Sequence, residues 1–136
     1  MKTLPEPILQ PVAGSEDLYR LHEPFSVTVA GISVTVAAGF ETDGASIPAA
    51  LWCLIDDPLA PEIAGPAVIH DALYSSELVS RSQADSILYD LCRCYGMGYI
   101  KAHEVWAGVR IGGWCVWRGH TPASVQAARM LVTVAP

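Results

Sequence analysis

Residues 69–74 read I-H-D-A-L-Y, a histidine beside an aspartate with a tyrosine four positions after the histidine. Fifteen residues beyond His70, in Q-A-D-S-I-L-Y, stands Asp85; 27 residues before it, in F-E-T-D-G-A-S-I-P, stands Asp43. On a helix His70 and Tyr74 share one face, whereas Asp71 is turned away by about 100°. The acid that can partner His70 must then come from a neighbouring helix, and Asp85 is suitably placed. A carboxylate on one ring nitrogen selects the tautomer and stabilises the imidazolium, leaving the other nitrogen to act as a general base. Asp71 points elsewhere, toward a cation or a basic group.

Asp43, Asp71 and Asp85 with one imidazole form an oxygen-rich set that suits calcium, magnesium or manganese. Zinc asks for more nitrogen or sulfur. The metal ligands expected from this pattern are Asp71 and Asp43. The same residues have a second reading. Buried polar groups must be paired, so His70, Asp85 and Tyr74 can equally form a clamp between two helices without any catalysis. Asp43 and Ser46 likewise suit a turn that bonds its own backbone.

Other reactive residues offer less. His103 lies in H-E-V-W-A-G-V, which lacks the second histidine of an H-E-x-x-H zinc helix, and His22 and His120 read as surface loop residues. Ser46 lacks the G-x-S-x-G elbow of a serine hydrolase. Cys92 and Cys94 are spaced C-x-C, about 200° apart on a helix, while Cys53 and Cys115 stand alone. Reduced, mostly buried thiols are expected rather than a zinc site. Trp106, Val109, Gly113 and Trp117 fall on one helical stripe and read as core rather than as a binding surface.

The elements that position these residues follow from periodicity. Residues 1–22 are an irregular, proline-spotted lead-in with a short strand near I-L-Q-P-V-A. Residues 23–40 alternate Phe25, Val27 and Val29, then Ile32, Val34 and Val36, around Ala30-Gly31, the pattern of a β-hairpin with one buried face. Residues 41–61 form a loop, with a turn at Asp43-Gly44 and a short helical turn around A-A-L-W-C-L-I. Residues 62–118 are helical: one helix around G-P-A-V-I-H-D-A-L-Y-S-S, a second opened by Ser82 and Asp85 as an S-x-x-D cap and stopped by Gly96, and a third over about 99–117. The connection S-S-E-L-V-S-R-S is short, so the first two helices should be antiparallel neighbours. The tail, 119–136, suits a short helix or a strand. The expected fold is α+β in a single domain of residues 1–136: an N-terminal β-hairpin followed by a small bundle of about three helices.

Composition narrows the function classes. Hydrophobic residues make up 51% and charged residues 16% of 136, which specifies a folded chain rather than a disordered one. A net charge of −6 with eight scattered Lys and Arg argues against a nucleic-acid binder. The N-terminus lacks the continuous apolar segment of a signal peptide, and no apolar run reaches the ~18 residues of a membrane span. No Gly-rich phosphate loop follows a strand.

Two resemblances carry the motif further. H-D-A-L-Y followed by A-D is similar to the H-D-x-x-Y…D arrangement of phospholipases A2, over about 20 residues. That likeness implies His70 as the base that activates water, Asp71 as a calcium ligand, and Asp85 with Tyr74 orienting the histidine. Where those enzymes carry a glycine-rich calcium loop, E-T-D-G-A-S-I-P has one glycine and an added acid. Over roughly residues 38–114, A-G-F-E-T-D-G-A-S-I-P, A-V-I-H-D-A-L-Y-S-S, S-Q-A-D-S-I-L-Y-D-L and G-V-R-I-G-G-W together resemble short phage and prophage proteins, domain of unknown function 1353. This implies a phage context; with the N-terminal reading it gives the expectation of synthesis in the host cytoplasm, a place in the virion, and a phage structural or host protein as partner. The composition also suits self-association. The expectation drawn is a non-catalytic virion- or tail-associated or host-interaction protein with a structural His-Asp clamp. Its alternative is a metal-assisted hydrolase, phospholipase-A2-like or acting on cell-wall esters or amides, with His70 as general base.

Overall fold

The alternating stretch forms the hairpin its pattern predicts. In the computed structural model, which describes residues 4–15, 18–42 and 60–136, β3 (Phe25–Val29) and β4 (Ile32–Val36) pair antiparallel with Phe25 opposite Val36 and Val27 opposite Val34. Ala30 and Gly31 close the turn with φ of 51° and 77°, the double left-handed conformation whose twist matches that of the flanking strands. The outward residues pair as well: Ser26 Oγ donates to Thr35 at 2.9 Å, and Thr28 meets Ser33 at 3.0 Å. Phe25, Val27, Val29, Val34 and Val36 are buried on the other face.

Two further strands occupy the lead-in. β1 (Leu9–Pro11), near the predicted position, pairs with β2 (Tyr19–Leu21), which in turn pairs with β5 (Glu41–Thr42), giving a second antiparallel sheet in the order β1-β2-β5. Only Leu21 of β2 is buried, so no alternation marks this strand in the sequence. The expected turn at Asp43-Gly44 and helical turn around A-A-L-W-C-L-I lie outside the described residues.

Among the described residues four helices follow, one more than expected. They are α1 (Ala64–Ser76), α2 (Arg81–Cys94), α3 (Tyr99–Arg118) and α4 (Pro122–Arg129). The tail contains both structures that its sequence suited. α4 opens on a capping box between Thr121 and Ser124, with Pro122 at its first position. β6 (Val132–Ala135) then returns to the hairpin and pairs with β4, Val134 opposite Val34, completing the order β3-β4-β6. The chain is therefore α+β, with both sheets antiparallel. No helix among the described residues is long and apolar enough to cross a membrane.

α1 is the central element. Ten of its thirteen residues are buried, His70 among them, because it packs against α2, α4 and the β3-β4-β6 sheet at once. A Cβ on Gly65 would come within 3.2 Å of both the Phe25 and Tyr95 rings, so this position lets α1 approach the hairpin closely. At its other end, Arg129 of α4 donates from Nε to the Ser76 carbonyl at 2.7 Å, satisfying a helix-end acceptor.

Two local expectations need correction. The N-cap of α2 is Ser80, whose side chain accepts from the Gln83 N–H at 3.1 Å; Ser82 lies inside the helix and Asp85 in its second turn. Among the described residues the thiols are not mostly buried either, Cys53 lying outside them. Cys92 is enclosed, whereas Cys94 and Cys115 are exposed, because the C-x-C spacing turns Cys94 away from the face that Cys92 buries. Burial, followed by the nearby Glu62 charge, pushes the Cys92 thiol up to about 12. Iodoacetamide labelling mapped by mass spectrometry should therefore modify Cys94 and Cys115 in the native protein and spare Cys92 until denaturant is added.

Candidate functional site

The short 77–80 connection brings α2 back beside α1, and Asp85 of α2 meets the His70 face of α1. His70 Nε2 lies 2.8 Å from Asp85 Oδ1, and the Tyr74 hydroxyl donates to the same oxygen at 2.7 Å. A carboxylate only accepts, so the imidazole carries its proton on Nε2, an assignment made from the hydrogen-bond pattern. The spacing of four places the Tyr74 ring against the His70 ring, centroids 4.2 Å apart. His70, Tyr74 and Asp85 all have 0% exposure.

Arginines on two helices complete the cluster, and the sequence reading missed both. Arg110 of α3 donates from Nη1 to Asp85 Oδ2 at 2.9 Å. Arg81 Nη1 lies 3.5 Å from the same oxygen and 3.1 Å from the Val109 carbonyl, while its Nη2 donates to the Arg110 carbonyl at 3.2 Å. Arg81 precedes Asp85 by four residues in α2, a spacing legible as an ion pair. Arg110 comes from another helix, 25 residues on, and carries no local signal. One carboxylate thus ties α1, α2 and α3 together and uses both of its oxygens.

Trp117 of α3 packs edge-on against the Tyr74 ring, centroids 5.3 Å apart. Of the expected tryptophan stripe, Val109 and Gly113 are buried and Trp106 and Trp117 partly so. His22 is exposed as expected, but His120 is partly buried and sits 3.2 Å from Glu77.

Burial alone would raise the Asp85 carboxyl. The hydrogen bonds from His70 and Tyr74, the attraction of His70 and the bond from Arg110 outweigh it and hold the group below its ordinary value of 3.8. Burial first, and the bond to Asp85 second, raise the Tyr74 hydroxyl and keep it a neutral donor. Because the folded chain keeps Asp85 ionised where the unfolded chain binds a proton, its contribution to stability is whole above about pH 4. It diminishes as the pH falls through the lowered folded value. Urea midpoints measured from pH 6 down to pH 2 should show this loss in the wild type and a flatter profile in Asp85→Asn.

Asp71 lies one position beyond His70 and is half-buried. Asp43, its proposed co-ligand, lies outside the described residues. Among the described residues, no group of three or more His, Cys, Asp or Glu stands together so as to hold a metal ion. Asp85 itself is a poor ligand, since its oxygens are occupied and two guanidiniums beside it repel a cation. One polar atom of the cluster differs from the rest. His70 Nδ1 is buried and has no hydrogen-bond partner among the described residues, and as the unprotonated nitrogen it is the basic one.

Neither the curated proteins nor the solved structures contain a match to this chain. The family described as "Protein of unknown function (DUF1353)" matches residues 19–109, from β2 through the first half of α3, a span that includes His70, Tyr74, Arg81 and Asp85 and ends one residue short of Arg110. The motif pairing and two-thirds of the chain thus agree, and the chain belongs to this family.

Proposed function

We propose that this is a non-catalytic phage or prophage protein, virion- or tail-associated or host-interacting, in which His70, Tyr74 and Asp85 form a structural clamp. The observation that carries the reading is the Asp85 carboxylate, fully buried and holding donors from three helices. A catalytic dyad must present its base to a substrate, whereas a clamp gains by excluding water, which strengthens its internal hydrogen bonds. The phage setting rests on the likeness of T-D-G-A-S-I-P and H-D-A-L-Y to short phage and prophage proteins. The acidic charge with scattered basic residues favours a protein partner, or another copy of the chain, over nucleic acid.

A second reading, a metal-assisted hydrolase, is favoured by His70 Nδ1. An imidazole fixed through Nε2 by a carboxylate, with the other nitrogen unpartnered, is the arrangement a general base needs. Calorimetry with calcium, magnesium and manganese on the wild type and Asp71→Asn, beside hydrolysis assays on phospholipid and cell-wall substrates, separates the two. The clamp predicts no turnover and a large loss of stability in Asp85→Asn. Turnover that His70→Asn abolishes while the fold survives would establish the hydrolase instead.

A further inference from the structure

A separate face of α2 and α3 holds a shallow cavity of about 330 Å³ lined by Ser86, Tyr89, Asp90, Tyr99, His103 and Trp106. That is the lower end of the range for small-ligand sites. The lining follows from helical spacing: Ser86, Tyr89 and Asp90 recur on one face of α2, and Tyr99, His103 and Trp106 on the facing side of α3. These aromatic side chains are not core. Tyr99 is 62% exposed and His103 is exposed, while Tyr89 and Trp106 are half-covered.

The lining rings are packed about His103 and do not share one plane. Tyr89, Tyr99 and Trp106 stand 6.0, 5.9 and 5.4 Å from the His103 ring, inclined to it by 86°, 35° and 50°. A flat sugar stacks on a platform of parallel faces, which these rings do not offer; a cavity of this size lined by differently inclined rings suits a compact ligand. Each aromatic face carries negative charge density that attracts a cation within about 6 Å. Asp90 adds a carboxylate that takes part in no salt bridge among the described residues. Arg93 already places its guanidinium 5.9 Å from the Tyr99 ring, but its Nη1 is tied to the Met97 carbonyl at 2.8 Å and it does not line the cavity.

We propose that this cavity binds a small quaternary ammonium ion of choline size, held by the Tyr89, Tyr99 and Trp106 faces and by the Asp90 carboxylate. The inference is independent of the clamp, since it uses none of that cluster's residues. The test is an NMR titration of the full chain with choline, with its uncharged carbon isostere 3,3-dimethylbutan-1-ol, and with N-acetylglucosamine. Choline should shift the Tyr89, Tyr99 and Trp106 signals in a saturable way, with the isostere at least about tenfold weaker. Tyr99→Ala and Asp90→Asn should each weaken choline binding roughly 3- to 30-fold without moving the unfolding midpoint, as fits cation–π and charge contributions at an accessible site. Equal binding of the isostere, preference for the sugar, no saturable shift, or unchanged affinity in both variants would each overturn the assignment.

Discussion

Asp85→Asn should lower stability by about 3–5 kcal/mol, the usual cost of removing one partner from a buried ion pair. In a chain of this size that corresponds to a fall of roughly 10–17 °C in the unfolding midpoint. The amide keeps the shape of the carboxylate but loses its charge, and its NH₂ group opposes donors where an oxygen accepted them. His70 Nε2, the Tyr74 hydroxyl and Arg110 then compete for a single neutral acceptor. The burden falls on α1, because His70 and Tyr74 have no exposure and so cannot turn to water. Thermal and urea unfolding of both proteins checks this, and Asp90→Asn on the accessible face of the same helix is the control. A change within about 0.5 kcal/mol, the scale of ordinary surface substitutions, would show that Asp85 is not a clamp.

Gly113→Ala is the second large effect, and it tests the cluster from α3. An added Cβ would lie 3.1 Å from Tyr74 Cε2 and Cζ and nearer still to the hydroxyl oxygen. Tyr74 cannot give way, since it is enclosed between the His70 and Trp117 rings and tethered to Asp85. Alanine is the better helix former by up to about 1 kcal/mol, but overpacking a filled core costs about 1–3 kcal/mol and displacing the tyrosine breaks a buried hydrogen bond as well. The net expectation is a loss of about 2 kcal/mol or more by the same balance. Tyr74→Phe removes the colliding oxygen, so the double variant should be less destabilised than the sum of the two single ones. Strict additivity in that cycle would show that the two positions do not touch.

Local pattern determined a good part of this molecule. The β3-β4 hairpin was legible because one buried face demands alternation and Ala30-Gly31 can supply the turn. The pairing of His70 and Tyr74 followed from a helical spacing of four, and Asp85 as their partner from the short connection that makes α1 and α2 neighbours. The boundary of α2 was misplaced by two residues because Ser80 and Ser82 are both chemically fit to cap, and only the path of the chain between helices chooses. β2 escaped notice since a three-residue strand with one buried side chain has no period to read.

Only the tertiary structure decided what surrounds Asp85. Arg110 and Gly113 come from α3, and the packing of α3 on α2, within reach of the Tyr74 side chain, places one as a charge partner and the other as room for Tyr74. It also decided that His70 is enclosed, a property of everything packed around α1 rather than of I-H-D-A-L-Y. Trp106 was likewise read as core from a stripe that proved half-true, because α2 covers Val109 but leaves the aromatic rings around His103 open to solvent. The physical reason is common to all three. Periodicity specifies which residues share a face, while enclosure and charge pairing depend on which faces of distant segments meet.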